Sequence, residues 1–369
     1  MLQYLEPRTD VPAKDDWSTG LILQDLRWGA TTLGGIAVVT GAFGVGCLFL
    51  ATAPGNVGAM VVLFLVTFLF GLGPLMYRSE TRALRRGLLE QPWRRVPATV
   101  AEKQHDDVHD RLLLGDGTVL QGWFQDLPDM VLERQEVFVC GPDASGRAVV
   151  RAAGFAKMEN AKAGKKTDTE THPARERVER PLGRPLDDAA TMKAYKGMRW
   201  GVRSWLWSAV PAGLGGVLVL LSLVPLAPAG LVVGGLMTAL GLLGVPTAIE
   251  ISRWYRDAVK AVENSAQWTP VAITLFPWKP NQNVAGLAQM PGGLALVQFV
   301  IPDLNVVANI ADTGVMWIAG THGDVIAVGV PRVPVLTFAA VQPDRDTPKE
   351  DPIPWIQRFH QPDFSGLPR

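Results

Sequence analysis

The sequence predicts an α+β membrane protein: four transmembrane helices in two hairpins, plus two small all-β barrel or sandwich domains, produced by an internal tandem duplication. Three observations carry this. Arg27-Trp28-Gly29 returns as Arg199-Trp200-Gly201, each time at the head of a long apolar run. Each run is long enough for two crossings of a hydrocarbon core, since about 20 apolar residues make one. Each is followed by short strand-like runs punctuated by Gly- and Asp-containing turns.

The duplication holds register over whole domains, at an offset of about 175 residues. Asp15-Asp16 precedes the first triplet as Asp187-Asp188 precedes the second. Pro74 answers Pro246, and Pro97 answers Pro270. Asp126-Leu127-Pro128-Asp129 answers Ile301-Pro302-Asp303-Leu304, and Val137-Phe138-Val139-Cys140-Gly141 answers Met316-Trp317-Ile318-Ala319-Gly320.

Taken in order, residues 1–28 are a polar lead-in without the basic region, short apolar core and cleavage site of a signal peptide. Residues 29–77 form the first hairpin: Gly29 to Ala53 carries no charge, Pro54-Gly55-Asn56 turns the chain, and Val57 to Tyr77 returns. Residues 78–95 make a basic amphipathic stem helix, and 96–154 the first β domain, whose Gly115-Asp116-Gly117 is a hairpin turn. Residues 155–199, rich in Lys, Glu, Arg and Thr, read as a flexible linker. The second copy follows as hairpin 200–250, stem 251–268 and β domain 269–342, and 343–369 is a Pro-rich tail in which Trp355, Ile356 and Phe359 stand out. Neither β domain is large enough to be comfortable alone, so the two are expected to pack as a pseudo-twofold pair across an apolar face.

Lys and Arg gather on the cytoplasmic side of spans. Arg27, Arg78, Arg82, Arg85 and Arg86 flank the first hairpin, and Lys193, Lys196, Arg199, Arg203, Arg253, Arg256 and Lys260 the second, whereas the inter-helix turns are uncharged. The expected location is therefore the cell membrane, multi-pass, with both termini and both β domains cytoplasmic. Arg27, Trp28, Arg199 and Trp200 fall at the interface, where amphipathic rings and cations are best accommodated.

Between these flanks the spans hold no Asp, Glu, Lys, Arg or His, the residues that usually mark ion pathways. They do hold small residues four apart, including Gly34, Gly41, Gly216, Gly230 and Gly234. That spacing lets helix backbones approach; it suits packing within the bundle, and also an oligomerisation or pore-lining face.

Net charge is zero, which argues against nucleic acid as partner. The two cysteines, Cys47 and Cys140, make neither a disulfide framework nor a metal-ligand spacing. His105-Asp106-Asp107-Val108-His109-Asp110 offers His105 and His109 as the weak metal candidates. The segment reads better as a solvated hairpin loop, because the second copy has Lys279-Pro280-Asn281-Gln282-Asn283 there. Phosphate-loop, nucleophile-elbow and zincin signatures are missing from the sequence. No catalytic residue and no cofactor are expected.

A helical hairpin followed by the Pro97-Ala98-Thr99-Val100 strand, the Asp116-Gly117 turn and the Val137 to Gly141 strand resembles uncharacterised bacterial membrane proteins that bear small cytoplasmic barrels of the OB or SH3-like kind. The resemblance implies a fold and a location, and carries no catalytic residues. The expected function is non-enzymatic: paired cytoplasmic β domains held at the inner leaflet as a protein-binding or scaffolding surface. Its expected partners are the lipid bilayer and a cytoplasmic or membrane protein, with a homo-oligomer also compatible. The alternative is a subunit of a small oligomeric channel or transporter.

Overall fold

The computed structural model describes residues 2–48, 57, 60–61, 63–68, 71–72, 86–101, 110–164, 182–223, 228–280 and 282–343. The chain divides into two compact units. The first gathers Met1–Asp25, Glu80–Met198 and Asp257–Arg369; the second gathers Leu26–Ser79 and Arg199–Arg256.

The first unit is built on two closed antiparallel barrels of six strands each. Strands β1 (Arg94–Ala101), β2 (Asp110–Leu114), β3 (Val119–Gly122), β4 (Glu136–Cys140), β5 (Arg147–Arg151) and β6 (Glu159–Ala163) close in the order 1-2-3-6-5-4. Strands β7 (Thr269–Leu275), β8 (Val284–Met290), β9 (Gly293–Phe299), β10 (Val315–His322), β11 (Val325–Gly329) and β12 (Leu336–Pro343) close in the equivalent order. The β1 strand serves two neighbours: Arg94 to Pro97 pair with β4, and Ala98 to Ala101 pair with β2. The predicted turn joins β2 to β3, with Gly117 at φ 81 and the Asp116 side chain accepting from the Thr118 N–H.

A helix bridges the third and fourth strands of each barrel, α2 (Leu127–Arg134) in the first and α6 (Leu304–Thr313) in the second. Each stops on a left-handed residue, Gln135 at φ 58 and Gly314 at φ 68, whose N–H closes the last turn. In β4 every residue from Val137 to Cys140 is buried, because both faces are covered. Phe138, Cys140 and Val149 join Trp93, Leu88, Leu89, Ala13 and Leu23 in a cluster where the lead-in packs on the barrel. By strand alternation, Val137 and Val139 face the other way, into the barrel with Leu112 and Leu114.

Strand register revises several boundaries and correspondences. The first barrel does not end at Gly154: β6 lies within the stretch read as linker, paired to β5 and β3. The linker's far end is also ordered, as a turn of 3-10 helix at Pro185–Asp187 and α3 (Ala189–Gly201). Residues 165–181 lie outside the described residues, as do 78–85 of the first stem and the tail with Trp355, Ile356 and Phe359; the described end of that stem is not an amphipathic helix but a 3-10 turn at Leu88–Glu90 and the start of β1. Pro97 stands opposite Glu136, the first residue of β4, whereas Pro270 stands opposite Trp317, the third of β10, so Ala272 is the counterpart of Pro97. Likewise Asp126 corresponds to Asp303, each preceding its helix, and not to Ile301. The second copy's longer β8 and β9 shift the numbering.

In the second unit, α1 (Trp17–Leu48) runs through the Arg27-Trp28-Gly29 triplet, and residues 57–72 include a helical return that packs on it. The second triplet instead ends α3 at Gly201, and after a short turn the chain continues in α4 (Leu206–Leu223) and α5 (Pro228–Glu263), the latter helical across Pro246. Four spans were expected. Among the described residues two helices, Trp17–Val45 and Leu231–Glu263, are long and apolar enough to cross a membrane, and Ala212–Leu223 is a shorter apolar helix. The other two expected spans fall where residues 57–77 lie in part outside the described residues, and where α4, 18 residues long, borders residues 224–227, which are likewise outside them.

Candidate functional site

Asp16 organises the first lead-in. Its carboxylate accepts from the Thr19 N–H and hydroxyl and from Ser18, which caps α1, and from the Arg8 N–H. Asp188 repeats the device on α3, accepting from the Ala190 N–H and the Thr191 hydroxyl, and it also takes the Arg332 N–H from the second barrel. The doubled acidic pairs in the sequence are thus helix caps. Only the first copy adds an ion: Arg151, on β5, is fully buried, 3.4 Å from Asp16 and 2.8 Å from the Ser18 hydroxyl, and donates to the Phe155 carbonyl. Its counterpart by register is Gly329, since Arg151 faces Phe138 as Gly329 faces Trp317. Burial pulls the Arg151 guanidinium down to about 10, with Asp16 acting in the opposite direction.

The two halves meet at the turn that follows β5. Asn309, buried on α6, accepts from the Leu5 N–H at 2.9 Å and donates to the Gly154 carbonyl at 2.7 Å. One turn earlier, Asn305 accepts from the Ala156 and Lys157 N–H groups. Lys193 on α3 reaches the Gln125 carbonyl and the Asp126 and Asp129 carboxylates at the start of α2. Close by on β6, buried Glu159 accepts from the Gln125 N–H, while its second oxygen has no hydrogen-bond partner among the described residues. Burial pushes this carboxyl up to about 7; the backbone N–H groups of Gln125 and Asp126 and the Lys157 cation oppose the rise, and the Asp126 charge adds to it. Burial also raises Asp303, which caps α6. Arg134 donates to the Ala153 carbonyl and lies 3.8 Å from the Tyr4 ring centroid. The sequence reading missed Asn305, Asn309, Arg151 and Glu159. A polar residue inside the otherwise apolar run Val306 to Ile310 was the available sign for Asn309.

The second unit puts small residues inside and large apolar ones outside. A Cβ on Gly215 of α4 would fall 2.6 Å from the Gly234 carbonyl oxygen, and one on Gly234 of α5 would fall 2.8 Å from that of Gly215. Gly241 meets Ala212 as closely. Gly234, Thr238, Gly241, Ala248 and Ser252 follow steps of four, three, seven and four along one face of α5, and the Ser252 and Ser204 hydroxyls bond at 2.9 Å. In the first hairpin Gly41 lies against Thr67, whose hydroxyl bonds Thr40. Of the other glycines singled out by spacing, Gly216 has nothing within 4 Å of a built Cβ, Gly34 is half-buried on α1, and Gly230 lies in the first turn of α5. Arg27 and Trp28 are exposed on α1, as are Arg199 and Trp200 at the end of α3.

His105 and His109 lie outside the described residues. Among the described residues no group of three or more His, Cys, Asp or Glu side chains is arranged to hold a metal ion. Burial pushes the Cys140 thiol up to about 12, so it stays protonated and unreactive at neutral pH. No protein-family model, curated protein or solved structure matches this chain.

Proposed function

We propose that this chain is a multi-pass integral membrane protein that holds its two barrels at the inner leaflet as a non-enzymatic protein-binding or scaffolding surface. The observation that carries the membrane reading is the inverted polarity of the helical unit. Val38, Val232 and Leu243 are 73%, 69% and 75% exposed, while Gly215, Gly234 and Gly241 are buried. In water such a surface would aggregate. In lipid, tails cover the large side chains and small residues let the helices meet. The most apolar windows of the two candidate spans are only 6% and 17% buried, unlike the core helices of a soluble domain.

The four-span, both-termini-inside topology rests on the charge asymmetry of the hairpin flanks. The scaffold reading rests on what fills the barrels and their seam: packed side chains and backbone hydrogen bonds, with the charged groups paired or buried at a joint. The alternative is a subunit of an oligomeric channel; because the Gly215–Gly234 approach closes the space between α4 and α5, its lumen would lie between copies of the chain. Reporter fusions after Ala163 and after Gln342, with affinity purification from gently solubilised membranes, test the proposal. Both reporters should be active inside the cell, and a stoichiometric protein partner should co-purify. Reporters active outside would overturn the topology, and solute flux in proteoliposomes without any partner would favour the channel.

A further inference from the structure

We infer that the chain is a covalently joined dimer whose halves bind each other as separate subunits do, with Asn305 and Asn309 of the second half reading the backbone of the first. Each barrel closes on strands from its own half, β1–β6 between residues 94 and 163 and β7–β12 between 269 and 343, so no strand is exchanged. The two barrels therefore meet as surfaces, and the helical hairpins of both halves meet separately in the second unit, where Leu218 packs on Met60 and Leu63. Two asparagine side chains satisfy four backbone groups of the first half: the Leu5, Ala156 and Lys157 N–H groups and the Gly154 carbonyl. Backbone groups recognised this way are orphaned when the surfaces part, which gives the contact specificity as well as strength.

The asparagine clamp is supplied by one half only, while beside it Lys193 of the second half pairs with Asp126 and Asp129 of the first. Counting from the first residue of each helix, Asn305 and Asn309 correspond to Pro128 and Leu132 of α2, whose side chains neither donate nor accept. A twofold dimer uses its patch twice; here the clamp is made once. The second half is thus a specific partner for the first, and two first halves lack the means to pair in this way.

The inference does not rest on the membrane reading, and it is tested on the full chain. A protease site is placed within residues 165–181, an affinity tag on one terminus, and the purified protein is cleaved and washed with a large excess of empty detergent micelles. The untagged half should stay on the resin; its loss into the wash would overturn the inference. Asn305→Ala and Asn309→Leu, separately and together, should leave the uncleaved chain with unchanged circular dichroism and lower retention after cleavage at least tenfold. Unchanged retention in the double variant would remove these residues from the contact. Should Asn309→Leu fail to fold, Asn305→Ala alone gives the same reading.

Discussion

Glu159, buried on β6 beside the start of α2, offers the sharpest test of the electrostatics of the first half. Its carboxyl is raised from 4.5 to about 7, chiefly because burial penalises the ionised form. Between those values the folded chain keeps a proton that the unfolded chain has released. The contribution is therefore fully present below about pH 4.5, is lost as pH rises towards 7, and changes no further above that. A rise of this size corresponds to about 3 kcal/mol of folding free energy. Glu159→Gln keeps an oxygen to accept from the Gln125 N–H and removes the charge. Relative to the parent, it should gain about 2 to 3 kcal/mol of stability on going from pH 5 to pH 8. Denaturant midpoints followed by tryptophan fluorescence at the two pH values measure this, and Trp93, buried on the first barrel, supplies a probe. Because Asp303 and Asp312 are raised by burial as well, the difference between variant and parent is the quantity to follow. An identical difference at both pH values would refute the reasoning.

Three further outcomes are expected. Asp16→Ala leaves the Arg151 cation buried without its partner and removes the α1 cap, so it should cost about 3 to 5 kcal/mol, whereas replacing both Asp16 and Arg151 by apolar residues should cost clearly less; a double-mutant denaturation cycle checks this. Gly215→Val or Gly234→Val forces a side chain onto backbone and should destabilise the helical unit by about 1 to 3 kcal/mol, with Gly216→Ala as a near-neutral control, read by thermal denaturation in detergent. Gly314→Ala places a side chain at φ 68 and should cost about 1 kcal/mol, while Gln135→Gly at the matching position should be neutral or stabilising in the same assay.

The duplication was readable because each copy reuses the same landmarks in order: an acidic pair, the Arg-Trp-Gly triplet, an apolar hairpin, and an apolar strand-like run ending at Gly141 or Gly320. The strand β6 was hidden by its composition. Glu-Asn-Ala-Lys-Ala has no β-branched or aromatic residue and resembles tether, and it is a strand only because β5 and β3 flank it. Spacing picked Gly41 and Gly234, which do lie against a neighbouring helix, but it also picked Gly216, for a geometric reason. A search for steps of exclusively four residues selects Gly216, but a helix of 3.6 residues per turn alternates threes and fours, which brings Gly215 and not Gly216 to the contact. The joint between the halves was invisible because it depends on two asparagines meeting backbone about 150 and 300 residues away, a relation that local pattern does not encode.

Both barrels close upon themselves, so among the described residues neither offers a vacant lateral row of amide and carbonyl groups. Recruitment by adding an extended peptide to a sheet is thereby denied to any binding protein. A protein partner of the kind proposed above would have to be grasped through loop tips, helix flanks or the convex outer walls, with its selectivity written in side chains.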